Sequence, residues 1–89
     1  MKVENMTSSQ GNKVANQFVI RDDNNNEYFQ SYRSIIAKRS QDKIYLDKYF
    51  WDYSRTTGKY RNLFLNETIA ETRAKIKSGE YILADLNKN

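Results

Sequence analysis

Up to about Tyr53 the apolar residues come in short β-favouring runs, and from Ser54 onward they fall at helical spacing. Residues 14–21 hold Phe18, Val19 and Ile20 and predict a strand. Asp22, Asp23, Asn24, Asn25 and Asn26 follow as a polar turn whose residues tolerate left-handed backbone. Residues 28–32 then set Tyr28, Gln30 and Tyr32 against Phe29 and Ser31, the period of two of a half-buried strand, so the two segments read as a hairpin. Residues 35–37 and 44–46, on either side of a turn at 40–43, read as two short strands or one meander unit.

Ser54 is a good N-cap, and Thr56, Tyr60, Leu63 and Phe64 lie at helical spacing, which predicts a helix over residues 55–65. Gly58 weakens that helix by about 1 kcal/mol relative to Ala, so either its first turn frays or something packs close to the glycine. Thr68-Ile69-Ala70-Glu71 fits a capping box, with Asn66 as the alternative cap. Ile69, Arg73 and Ile76 define the inner face of this second helix, and Ser78-Gly79 supplies its stop. Residues 81–86 read as a last strand, and Asn87, Lys88 and Asn89 as a polar tail.

The fold class is therefore α+β: a small antiparallel sheet, made of an N-terminal meander plus a C-terminal strand, with two short helices. Residues 1–12 are polar and read as a disordered N-terminal arm, and residues 13–87 as a single compact domain. An edge strand left open would let the sheet pair with a second copy, so a homodimer belongs to the expectation.

Composition narrows the chemistry. The chain has neither Cys nor His, which removes disulfides, thiolate and imidazole nucleophiles and nearly every zinc or redox-metal arrangement. A non-enzyme without metal or cofactor is expected. With 38% apolar and 29% charged residues, no apolar run near the ~20 residues that span a bilayer, and no apolar leader near Met1, the sequence reads as a soluble cytoplasmic protein without membrane contact.

Charge locates the candidate surface. Residues 33–62 carry eight Lys or Arg against three acids, a surplus of five, whereas the flanking segments are nearly balanced. Cations interleaved with Tyr45, Tyr49, Phe50, Trp51, Tyr53 and Tyr60 can neutralise phosphates while offering flat rings to bases. The junction at 51–62 places hydroxyls, cations and a glycine at a predicted helix N-terminus, a favourable place for an anion. In this reading Ser54, Thr56 and Thr57 bond phosphate oxygens, Arg55, Lys59 and Arg61 neutralise them, Gly58 admits backbone approach, and Trp51 and Tyr53 stack. Lys38 and Lys48 are expected to join those cations on one face beside an exposed Trp51. A bland reading stands next to it: Ser54 only caps, Trp51 anchors the core, and the cations form a solvated face.

Several motifs fail on inspection. Thr57-Gly58-Lys59 lacks the earlier glycine, at Tyr53, and the following hydroxyl, at Tyr60, of a phosphate-binding loop. The ring-rich strands lack the RNP1 pattern, and the acids and amides at 22–27 lack EF-hand spacing. Asp42, Asp47 and Asp52 recur at five-residue spacing among cations and read as charge-balancing surface residues rather than as metal ligands.

Val14-Ala15-Asn16-Gln17-Phe18, Tyr28-Phe29-Gln30-Ser31-Tyr32, Trp51-Asp52-Tyr53-Ser54 with Thr56-Thr57, and Lys77-Ser78-Gly79-Glu80-Tyr81 together resemble small uncharacterised proteins of bacteriophages and mobile elements, over roughly residues 13–87. The resemblance implies a phage-type protein in the host cytoplasm and leaves its mechanism open; with the basic, ring-rich segment 33–62, the expected role is binding of DNA or RNA. Its alternative is an inhibitor or adaptor that grips a host defence protein such as a CRISPR effector.

Overall fold

A computed structural model describes residues 1–88; Asn89, the last residue of the expected tail, lies outside the described residues. Six strands and two helices follow one another as β1 (Lys2–Thr7), β2 (Lys13–Arg21), β3 (Glu27–Ser31), β4 (Ser34–Ser40), β5 (Lys43–Asp47), α1 (Arg55–Leu65), α2 (Ile69–Ser78) and β6 (Tyr81–Ala84). The strands form a single sheet in sequence order, antiparallel from β1 through β5. The sheet is not wholly antiparallel. β6 runs parallel to β5, because the chain crosses back through both helices before it re-enters the sheet.

Both helices cover one face. Phe29, Ala37 and Leu46 point to that face from three adjacent strands, Ile36 joins them at a bulge between β3 and β4, and Tyr60, Leu65 and Tyr81 close the core above them. The Phe29 and Phe64 rings stack at 5.9 Å. On the opposite face, cross-strand pairing aligns Val3, Ile20, Tyr28, Lys38, Tyr45 and Ile82 in one row across all six strands.

Capping fixes the helix ends where the sequence predicts them. Ser54 accepts from Thr57 N at 3.2 Å, and α1 stops at Asn66 in left-handed backbone with φ 56°. Thr68 and Glu71 form the capping box of α2, and Gly79 ends it at φ 86°. The inner face of α2 differs from the expected one. Thr72 is buried, its hydroxyl donating to the Glu67 carboxylate, while Arg73 points outward.

The N-terminal segment also departs from the expected disordered arm. Residues 2–7 form β1, which satisfies its backbone on one side by pairing with β2 and therefore needs few apolar side chains. A three-residue excess in β2, with Asn16 at φ 66°, bends the hairpin so that Met6 and Val14 pack against the core. Met6, at the register shift in β1, and Val14, inside the β2 bulge, leave no periodic trace in so polar a stretch.

Candidate nucleic-acid interface

The segment between β5 and α1 is shaped by one buried carboxylate. Asp47 is fully buried at the end of β5 and accepts from the backbone N–H of Tyr49 at 3.1 Å, Phe50 at 2.8 Å and, across the molecule, Leu86 at 2.8 Å. These bonds turn the chain sharply, sending Lys48 and Tyr49 outward and Phe50 and Trp51 toward the core. Tyr53 returns to the surface with its ring edge-on to Phe50 at 5.5 Å. Ser54 then starts α1.

Of the residues expected to contact phosphate, three are occupied within the protein. The Thr57 hydroxyl is buried and lies 3.0 Å from the Ser31 hydroxyl and 3.2 Å from that of Ser54, so it ties α1 to β3. Ser54 caps the helix. The Arg61 side chain is 1% exposed and donates through Nη1 to Trp51 O at 2.8 Å and to Asp52 Oδ1 at 3.1 Å, and through Nη2 to Asn62 Oδ1 at 3.0 Å. Its guanidinium also covers the Trp51 ring at 5.3 Å, so the indole is half-buried against the core and no open platform for a base.

The remaining candidates reach solvent at separate places. Lys38 lies on the helix-free sheet face between the Tyr28 and Tyr45 rings, 5.7 and 5.8 Å from their centroids. Lys48 follows β5 at the edge of the sheet end and lies 5.1 Å from the Tyr49 centroid. Arg55, Thr56 and Lys59 are exposed on α1. The expectation that Arg55, Lys59, Arg61, Lys38 and Lys48 share one face beside an exposed Trp51 is therefore corrected: β4 alternation turns Lys38 away from the helices, and the Asp52 pair draws Arg61 inward. Asp42, in the β4–β5 turn, is at the opposite end of the sheet from Asp47 and Asp52, so the three acids share no site.

What the structure does assemble lies at the end of the sheet where β3 turns into β4 and β5 leaves for α1. Tyr32 and Arg33 form the two-residue β3–β4 turn, both exposed, and face Tyr53 across a cleft of about 550 Å³ whose inner wall is made of Ser31, Ser34, Ser54 and Thr57. Tyr32, Tyr49 and Tyr53 expose 56, 65 and 66% of their surface here. Among the described residues Arg33, Lys48 and Arg55 have no ion-pair partner, while Asp47 and Asp52, the acids of the intervening segment, are turned to backbone and to Arg61. Asp85, exposed after β6, is the acid that remains at this end.

Tyr32 and Arg33 are the residues that sequence reasoning missed. The period of two extends the β3 strand through Tyr32, yet Tyr32 adopts φ 56° and turns its ring out of the sheet. A signal was available: strands of this length joined by two residues require positive φ in the loop, and Ser31 to Ser34 has that length.

Residues 1–81 match the model of DUF8033, described as a family of unknown function, and the match includes β1. No curated protein and no solved structure matches the chain. No helix of the described residues is long and apolar enough to cross a membrane.

Proposed function

The chain belongs to the DUF8033 family, and we propose that it is a non-enzymatic protein that binds single-stranded nucleic acid at the Tyr32–Tyr53 end of its sheet. The observation that carries this reading is Tyr32. A tyrosine at φ 56° is strained relative to glycine by about 1–2 kcal/mol, and here the ring thus held is exposed beside Arg33 rather than packed. Three exposed tyrosines supply flat faces for unstacked bases, and Arg33, Lys48 and Arg55 supply charge for the phosphates between them. Rings at the sheet end suit splayed bases and not a closed duplex, and no base-reading helix is presented, so sequence preference is weak. The resemblance to bacteriophage and mobile-element proteins supports a setting in the host cytoplasm.

Fluorescence anisotropy with labelled single- and double-stranded oligonucleotides at two salt concentrations tests the reading. About three phosphate contacts give a log–log salt slope of order −2 for a single strand. Absence of binding at low salt ends it.

A further inference from the structure

The opposite flank of α1 presents a different surface. α1, the start of α2 and the β1–β2 turn line a groove of about 880 Å³, with Thr7, Ser8 and Ser9 forming the wall supplied by the turn. Its floor and inner wall are apolar: the buried Tyr60, the half-buried Ile69 and Leu63 of α1, which is 54% exposed. Its rim is cationic. Arg55, Lys59 and Arg73 line it with their charged ends in solvent, and the acid present, Asp52, is already engaged by Arg61 at 3.1 Å and Arg73 at 3.6 Å. Behind the rim the Arg61 guanidinium adds a buried positive charge, with its Nε–H unpartnered within the protein.

This combination separates the groove from the sheet end. No aromatic face is open in it for a base, because Tyr60 is buried and the Trp51 ring is covered by Arg61. An aliphatic floor takes an aliphatic or aromatic side chain, and a cationic rim, on which Arg55 and Lys59 have no ion-pair partner among the described residues, complements carboxylates flanking that side chain. We infer that the groove between α1, α2 and the β1–β2 turn docks an acidic peptide segment of a partner protein, anchored by an apolar residue on Leu63 and Ile69 and held by Arg55, Lys59 and Arg73. The groove is separate from the sheet-end cleft and shares only Arg55 with the residues proposed to contact nucleic acid, and it makes the molecule an adaptor with two surfaces.

The test is selection of a randomised 12-residue peptide library on the full chain, followed by anisotropy with the recovered peptides labelled. Recovered sequences are expected to combine Asp or Glu with a Leu, Ile or Phe anchor. Their affinity is expected to fall at least tenfold in the Lys59→Glu/Arg73→Glu double variant and in Leu63→Glu, and to be unchanged in Tyr32→Gly. Circular dichroism verifies that the variants fold; these side chains are exposed, so folding is retained. A selection without acidic enrichment overturns the inference. So does equal binding to the charge-reversed variant, or displacement of the peptides by oligo(dT) at the salt-dependent affinity measured for the wild type, which would assign the groove to a polyanion. Oligonucleotide binding that persists in the charge-reversed variant but is lost in Tyr32→Gly distinguishes failure here from failure at the sheet end.

Discussion

Arg61 and Asp52 form an ion pair with one dry and one wet partner: the guanidinium is 3.1 Å from the carboxylate, with side-chain exposures of 1 and 40%. The arginine also satisfies the Trp51 carbonyl and covers its ring, so it closes the turn that precedes α1 onto the helix itself. Truncation to Ala leaves a half-buried carbonyl unpaired and a void beneath the indole, while Asp52 is wet enough to rehydrate. Arg61→Ala is expected to cost about 2–4 kcal/mol in urea denaturation. Lys restores little of it, because an ammonium cannot donate to three acceptors in one plane. Affinity for oligonucleotides, measured on the folded fraction, is expected to stay within about twofold of wild type, since a half-unit of binding energy at most is at stake for a charge that does not reach solvent.

Gly58 gives the second prediction. A Cβ built there meets the Arg61 guanidinium at 3.6 Å, an ordinary van der Waals contact, and the backbone is helical. Gly58→Ala is therefore expected to stabilise by about 0.5–1 kcal/mol through helix propensity alone. A loss of stability in the same denaturation experiment would show that the guanidinium cannot give way. Unchanged oligonucleotide binding is expected alongside, because no ligand needs to approach this backbone.

The β2–β3 turn carries a pH dependence. Asp22 accepts from the Asn26 side chain at 3.0 Å and backbone at 3.0 Å, from Asn24 N at 2.9 Å and from the Tyr28 hydroxyl at 3.0 Å. These bonds, those of Asn26 first, hold its carboxyl down from 3.8 to about 2. A folded value below the unfolded one means the stabilisation is fully present above about pH 4 and lost as pH falls from 3.8 toward about 2. Carboxyl-detected NMR titration should place the Asp22 midpoint near the low value, with the Asn24 and Asn26 amide resonances moving in step. Asp22→Asn should abolish those coupled shifts, and a midpoint near 4 would refute the turn geometry.

Much of the fold was legible because local signals agreed with one another. The α1 limits follow from Ser54 and the helical spacing, α2 from Thr68, Glu71 and Gly79, and the β2–β3 hairpin from its run of Asp and Asn. What was illegible depends on contacts distant in sequence. The polar β1 is ordered by pairing with β2, and Asp47 joins β5 to Leu86, 39 positions away. The candidate site suffered most from the same cause. A cation count cannot show that Arg61 faces Asp52 or that strand alternation sends Lys38 to the far side of the sheet. Tyr53 was visible as a ring beside cations, whereas its counterpart Tyr32 was concealed by continuing the strand one residue too far.

Tyr32 separates folding from binding more sharply than any other position. At φ 56° its Cβ opposes the backbone, so glycine relieves strain but adds freedom to the unfolded chain, and these terms nearly offset. Tyr32→Gly is expected to leave stability unchanged or raise it by up to about 1 kcal/mol. The same substitution removes one stacking ring, worth about 1–3 kcal/mol of binding, so oligonucleotide affinity should fall by roughly five- to 150-fold. Because a ring carries no charge, the salt slope should not change, whereas Lys48→Ala should weaken binding and lower the slope by about 0.7. A protein that becomes more stable while losing its ligand would identify the strained turn as held for binding. Equal affinity of wild type and Tyr32→Gly would show instead that the exposed ring contributes nothing there, and would leave the sheet end without the feature that distinguishes it from an ordinary basic surface.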